Sequence, residues 1–141
     1  MSPTIKNILA VILGIVIGGG INMLIVTYGG AVVPAPEGVD PSDVESIKAN
    51  LHLYEAKHFA VPFLAHALGT LVGAIVAFML AANRKAMCAY IIGVVFLLGG
   101  IAMAVMLQGP VWFISLDVLV AYIPMAWLGA KIGGGLQGGN Q

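Results

Sequence analysis

Residues 59–81 of this chain, FAVPFLAHALGTLVGAIVAFMLA, form an apolar run without a single Asp, Glu, Lys or Arg. A run of this length matches the ~20 residues that an α-helix needs to cross the hydrocarbon core of a bilayer. Small residues recur in it at every fourth position, a spacing that lets membrane helices approach one another closely. The run therefore predicts a membrane-spanning helix that packs tightly against a neighbour. Its small residues are Ala65, Gly69, Gly73, Ala77 and Ala81.

Three further runs have the same length and character, and they cover residues 8–28, 87–107 and 111–131. The first exceeds the apolar core of a signal peptide and no A-x-A-like cleavage site follows it closely, so we expect it to span as well. Charged residues make up only 9% of the 141-residue chain, against about 25% in soluble domains. The sequence thus predicts an all-α fold, a four-transmembrane-helix bundle that forms a single integral membrane domain over residues 1–141.

The composition also excludes some classes of partner and site. The formal net charge is zero, which argues against a nucleic-acid partner because phosphate binding requires a concentrated basic face. Cys88 is the only cysteine, so neither an intrachain disulfide nor a multi-cysteine metal site can form. The bilayer itself is the first partner that the sequence predicts.

Basic residues in short loops predict the orientation of a membrane protein, because they are retained on the cytoplasmic side. Lys6, Arg84, Lys85 and Lys131 all fall on one side of an alternating four-helix topology. The opposite side receives residues 34–57, which carry five acidic and two basic side chains. We therefore expect both termini in the cytoplasm and the acidic segment outside.

The outer segment also contains a predicted helix, over roughly residues 41–56. Asp40 followed by Pro41 is typical of a helix start, with the aspartate as N-cap and the proline in the first turn. Apolar side chains then follow at helical spacing, which predicts an amphipathic helix that lies on the bundle or at the membrane interface. These side chains are Val44, Ile47, Leu51 and Tyr54.

Two more of the spanning segments carry small or polar residues at four-residue spacing, and these stripes predict the faces that pack. One stripe is Ala10, Gly14, Gly18 and Asn22, and the other is Asp117, Ala121, Met125, Gly129 and Gly133.

A glycine-rich stretch, residues 133–139, follows the fourth segment. We expect it to end that helix and form a flexible tail.

Polar side chains inside a membrane are costly and usually have a role. Asn22, His66 and Asp117 each lie about 10 Å below the outer boundary at 1.5 Å per residue, with Tyr122, Thr70 and Ser115 as weaker members of the set. One interpretation is a binding site for a proton, cation or other ligand. The other is structural, with the same side chains hydrogen-bonded to one another so that they fix the register of the helices. A contact between Asp117 and His66 or Asn22 is expected from both.

His52, Glu55 and His58 form a second polar cluster, at the start of the second spanning segment. Glu55 and His58 have the i, i+3 spacing of carboxylate-bridged metal sites in helical bundles, but those sites need two such motifs. A zinc ion at the outer interface is therefore an alternative to no cofactor at all. The simpler interpretation is that these residues cap the helix at the water interface.

Four stretches of the sequence carry a resemblance to known proteins, namely residues 51–59 (LHLYEAKHF), 62–70 (PFLAHALGT), 96–101 (FLLGGI) and 121–129 (AYIPMAWLG). They resemble a family of small, uncharacterised four-helix proteins of bacterial inner membranes. The resemblance implies the four-helix fold and a location in the bacterial inner (cytoplasmic) membrane, and it implies no catalytic residue.

Three classes of function are compared on these observations. The first is a structural or interaction protein that forms a homodimer, or joins another membrane protein, through its glycine faces. The alternative is the binding or transport of a small solute, ion or lipid at the level of Asn22, His66, Asp117 and Tyr122. An enzyme comes third, because no nucleophile–base set or cofactor motif is present. A cavity beside His66 and Asp117 favours binding, whereas direct side-chain pairing without one favours the structural role.

Overall fold

The structure is a computed structural model that describes residues 1–138, and it is helical throughout its ordered elements. Four helical segments are long and apolar enough to cross a membrane, which confirms the predicted fold class of a multi-pass, four-helix membrane protein. A short 3-10 helix, Leu51–Leu53, follows the second helix. The helices are α1 (Pro3–Val32), α2 (Val44–Ala49), α3 (Ala56–Leu80), α4 (Lys85–Leu107), α5 (Val111–Val120) and α6 (Ile123–Gly138).

The two ends of the bundle differ in their connections. One end, here called the loop end, carries residues 33–55 and the tight turn 108–110. The opposite end, called the terminal end, carries the N-terminus, the turn 81–84 and the end of α6. At the terminal end Asn7 Oδ1 accepts a hydrogen bond from the Ala82 N–H (2.9 Å), and Asn7 Nδ2 donates one to the side-chain oxygen Oδ1 of Asn83 (2.7 Å). This contact fixes the start of α1 against the turn between α3 and α4.

Helix α3 lies at the centre of the bundle and packs against α1, α4 and α6. The closest approach is to α1, where a methyl group on Gly18 would lie 2.5 Å from the Gly69 carbonyl oxygen. A methyl group on Gly14 would lie 2.7 Å from the Gly73 carbonyl oxygen. The two small-residue stripes therefore meet each other inside the chain, with the backbones of α1 and α3 in contact.

The loop helix is shorter than predicted. It begins at Val44 rather than near Asp40, because Asp43 is the N-cap and its side chain accepts from the Glu45 N–H at 3.1 Å. The Asp40 carboxylate instead accepts from both the N–H and the hydroxyl of Ser42, and these bonds lower the pKa of Asp40. The helix also ends at Ala49 rather than near residue 56, so of the four predicted apolar side chains only Val44 and Ile47 lie on it. Leu51 lies on the 3-10 helix and Tyr54 follows it in extended conformation, although all four side chains are half-buried. Burial raises the pKa of one of them, Tyr54.

The fourth spanning segment is interrupted, although the sequence predicted a continuous helix over residues 111–131. It consists of α5 and α6, joined by a turn at Ala121 and Tyr122. Pro124 lies directly after this turn, and a proline has no N–H with which to donate to the carbonyl group four residues earlier. The proline weakens the helix at this point, although Pro62 lies within α3 without interrupting it.

Residues 133–138 are helical and differ from the expectation of a flexible tail. Helix α6 continues to Gly138, and Gly139 lies outside the described residues. The Gln137 side chain accepts from Lys85 Nζ (2.8 Å) and donates to the Met79 carbonyl oxygen (3.1 Å). These bonds attach the last turn of α6 to the neighbouring helices, which keeps the glycine-rich stretch helical.

Candidate functional site

Three polar side chains meet inside the bundle, in the half that lies toward the loop end. The Tyr122 hydroxyl donates to Asp117 Oδ2 at 2.7 Å. His66 Nδ1 lies 2.9 Å from Asp117 Oδ1, 3.0 Å from Oδ2 and 3.0 Å from the Tyr122 hydroxyl oxygen. Asp117 and Tyr122 are 4% and 1% exposed, respectively, so their polar atoms depend on this network rather than on water. The contact predicted between Asp117 and His66 is therefore present.

Aromatic packing aligns the two helices that carry His66 and Asp117. Phe59 contacts Phe113, with ring centroids 4.8 Å apart, at the beginnings of α3 and α5. Phe59 precedes His66 by two helical turns and Phe113 precedes Asp117 by one, so each ring lies on the face of its polar residue. The buried Thr70 hydroxyl also donates to the His66 carbonyl oxygen at 2.7 Å. The site is thus held by contacts on both sides of His66.

Tyr122 reaches the site because the fourth segment is broken beside it. In a continuous α-helix, residues five apart, such as Asp117 and Tyr122, point ~140° away from each other. The turn at Ala121 and Tyr122 removes that constraint. The space for the phenol ring is provided by Gly100 on α4, where a methyl group would overlap the Tyr122 ring and hydroxyl.

A cleft of about 370 Å³ lies beside these side chains, between α1 and α4. His66 and Tyr122 line it, and Asn22 contributes an amide from α1. The remaining wall is apolar or has no side chain. It consists of Gly19, Val95, Phe96, Gly99, Gly100 and Met103.

The cleft opens toward the surface that faces lipid. Val95 and Met103 are 37% and 40% exposed, and methyl groups on Gly19 or Gly99 would meet nothing within 4 Å. Its volume is at the low end of the ~300–1,000 Å³ of small-molecule sites. The cleft therefore combines an apolar mouth with a polar back wall.

The structure separates the predicted polar residues into two groups. His66, Asp117 and Tyr122 form the network, and Asn22 lines the cleft beside it. The exposed Ser115 lies outside this site, and Thr70 supports the backbone of His66. Gly19, Gly99 and Phe96 could not be assigned to the site from the sequence, because open and packed glycines look the same there and an apolar phenylalanine is ordinary in a membrane helix.

The weak zinc hypothesis for His52, Glu55 and His58 is not supported. Within residues 1–138 no three or more His, Cys, Asp or Glu residues are arranged to hold a metal ion. His58 Nδ1 accepts from the Glu55 N–H at 2.8 Å, so this histidine caps the start of α3. His52 is exposed on the 3-10 helix and does not join them.

A second groove, of about 520 Å³, lies at the loop end between the chain after α1 and the start of α3. Its charged side chains include Glu37 and Lys57, both of which are exposed. It contains no buried polar network comparable to that around Asp117, so the cleft is the stronger candidate.

Comparisons of the chain with protein-family models, with curated proteins and with solved structures find no match.

Proposed function

We propose that this protein binds a small amphipathic molecule dissolved in the bilayer, in the cleft between α1 and α4. The observation that carries the proposal is the combination of an apolar, lipid-facing mouth with a back wall of His66, Tyr122 and Asn22. A ligand that enters from the membrane would keep its apolar body at the mouth and pair its polar group with these side chains. Such a layout is the usual one for small-molecule sites.

The predicted small-residue stripes of α1 and α3 are used within one chain rather than between two. Gly14 and Gly18 already pack against Gly69 and Gly73 within one chain. These faces are therefore not available to a second protomer. A structural or interaction role remains a prediction, and the described contacts give it no specific support.

The hydrogen bonds of Asp117 would serve a register lock as well as a binding site. A lock, however, needs neither a cleft beside the network nor a histidine that lines this cleft. His66 Nδ1 is the ring nitrogen that bonds to Asp117 and Tyr122. Nε2 lies outside this network, and the His66 side chain is 23% exposed and lines the cleft. A histidine that lines a lipid-facing cleft with a ring nitrogen outside the network favours the binding interpretation.

We also propose that the protein lies in a bacterial inner membrane with both termini in the cytoplasm. The basic residues of the terminal end and the acidic residues of the loop end support this orientation. It would place the cleft in the outer half of the bilayer.

A cysteine accessibility experiment tests the orientation. In a Cys88→Ala chain, a membrane-impermeant maleimide added to intact cells should label Ala49→Cys, which is exposed at the end of α2. It should not label Ala82→Cys, which is exposed in the turn after α3, until the membrane is opened. Native Cys88 must be removed, because it is buried and reports on neither side. The opposite labelling pattern would place the termini outside.

Binding in the cleft can be measured through the ¹³C-labelled methyl group of Met103, which lines the cleft. The probes are p-nonylphenol, p-nonylanisole and myristate, added to the full chain in dodecyl maltoside micelles. We expect at least one probe to shift the Met103 signal saturably, while Met79 and Met87 at the terminal end stay unchanged.

Matched leucine substitutions show whether such a shift arises in the cleft. Gly19→Leu places a side chain in the cleft without a clash at its Cβ atom, so it should abolish the shift. Gly20→Leu is the control, since this neighbour is exposed, has the same open space and does not line the cleft. A Met103 response to none of the probes, or an equal response in both variants, would contradict binding in the cleft.

A further inference from the structure

The hydrogen bonds around Asp117 determine where the His66 ring carries its proton. A carboxylate can only accept hydrogen bonds, and the Tyr122 hydroxyl already donates its single hydrogen to Asp117 Oδ2. His66 Nδ1 faces both carboxylate oxygens and the tyrosine oxygen, all of which are acceptors in this arrangement. With Asp117 ionised, Nδ1 is therefore the protonated nitrogen. A neutral imidazole has one N–H, so Nε2 carries a lone pair and is an acceptor.

In the neutral ring Nε2 is thus a hydrogen-bond acceptor and cannot donate a hydrogen bond. A ligand that pairs with it has to supply a hydrogen, as an alcohol or phenol does and as an ether or ketone does not. The Asn22 amide lines the same cleft and can donate to the oxygen of such a group. Val95, Phe96 and Met103 complete the cleft with apolar surface, which suits a hydrocarbon body attached to that hydroxyl.

We propose that the ligand of the cleft is a hydroxyl-bearing amphiphile, an alcohol or phenol on an apolar body, whose hydroxyl hydrogen is accepted by His66 Nε2. Asp117 and Tyr122 act through His66, as positioning residues that hold the proton on Nδ1. The inference rests on the proposed function, since it names the chemistry of the ligand for the same cleft.

The phenol and the anisole used as probes are a matched pair for this question. They share the same ring and chain, and they differ in that a methyl group replaces the hydroxyl hydrogen. Titrations followed at the Met103 methyl group should give a Kd at least about tenfold lower for p-nonylphenol than for p-nonylanisole, the difference expected from one buried hydrogen bond.

The variant His66→Asn tests the role of Nε2 separately from that of Nδ1. Its amide nitrogen takes the place of Nδ1 and can still donate to Asp117, but it has no counterpart of Nε2. The preference for the phenol should disappear, while SDS-induced unfolding of the variant stays close to that of the original protein. A phenol preference that survives in a folded His66→Asn protein would overturn the role of Nε2.

A direct measurement requires no change at the site. In a His52→Gln, His58→Gln chain, ¹⁵N spectra of the single remaining histidine should show a protonated Nδ1 and a bare Nε2. Adding p-nonylphenol should shift the Nε2 signal, and p-nonylanisole should not. A protonated Nε2 in the neutral ring would overturn the inference.

The outcomes also separate this inference from the proposed function. Equal affinities for phenol and anisole, both abolished by Gly19→Leu, would overturn the hydroxyl assignment and leave binding in the cleft supported. A failure of all the probes to bind, or binding that Gly19→Leu does not affect, would overturn the proposed function and the inference with it.

Discussion

Valine in place of Gly18 is expected to lower the free energy of unfolding by at least about 3 kcal/mol, the upper end of the usual cost of overpacking. Even the first added carbon atom would lie 2.5 Å from the Gly69 carbonyl oxygen and 3.0 Å from the Phe96 ring. The backbone of α3 cannot move aside without separating α3 from α1, and the Phe96 ring is packed on α4. SDS titration in dodecyl maltoside, followed by the fluorescence of Trp112 and Trp127, measures the loss.

The matched control is Gly20→Val, two residues further along the same helix. Gly20 is exposed, and a methyl group there would meet nothing within 4 Å. We expect a change of no more than about 0.5 kcal/mol, as for other surface positions. Similar losses in both variants would mean that valine weakens α1 itself, and the contact with α3 would then not be the cause.

Alanine in place of Asp117 is expected to transfer the proton of the His66 ring from Nδ1 to Nε2. Without the carboxylate, the remaining partner of Nδ1 is the Tyr122 hydroxyl, 3.0 Å away. The hydroxyl has lost its own acceptor, and it regains one only if Nδ1 is unprotonated. ¹⁵N spectra of the His52→Gln, His58→Gln chain should therefore show an N–H at Nε2, and the preference for a phenol over its methyl ether should disappear.

Asp117→Ala should also lower the free energy of unfolding by about 2 kcal/mol. The carboxylate accepts hydrogen bonds from Tyr122 and His66; without it one new bond, from the Tyr122 hydroxyl to His66 Nδ1, replaces these two, and a small void remains. Asp117→Asn retains the shape and an acceptor oxygen, so its loss should be smaller. An unchanged tautomer in Asp117→Ala would show that Asp117 does not control the proton on His66. A stability loss in Asp117→Asn as large as that in Asp117→Ala would show that the ionised group itself holds the helices together.

The spanning helices could be predicted from the sequence because their signal is long and redundant. Each depends on about 20 apolar residues rather than on any single one. The depth of His66 and Asp117 followed directly from their distance along each helix. Their meeting was predictable for the same reason, since a carboxylate at that depth requires a partner.

The exact ends and breaks of the helices could not be predicted in the same way, because each depends on one or two residues. Asp40 and Asp43 are both good N-caps, and the choice depends on Ser42, which occupies the Asp40 carboxylate. The break at Tyr122 had a visible signal in Pro124, but a proline can also lie within a continuous helix of a membrane protein. The end of the last helix depends on Gln137, whose partners come from distant parts of the chain.

The cleft had no sequence signal at all. Gly18 and Gly19 are adjacent and chemically identical, yet one contacts a neighbouring backbone and the other borders open space. The rotation of α1 about its axis determines which of the two glycines contacts α3 and which borders the cleft. That rotation is fixed by packing against α3, which a pattern of small residues predicts only as a stripe.

The position of α1 in the bundle has a consequence for assembly. Among the described helices α1 packs against α3 and α4, so α1, which is synthesised before both, reaches its final position only after these later helices have entered the membrane. The wall of the cleft formed by Gly19 and Asn22 is in place only once α1 has docked. A molecule that binds only the finished cleft stabilises the docked arrangement by RT ln(1 + [L]/Kd), or about 2.7 kcal/mol at a concentration one hundred times Kd. The ligand would then act as a late assembly factor, whose supply in the membrane sets the fraction of chains in which the bundle is complete.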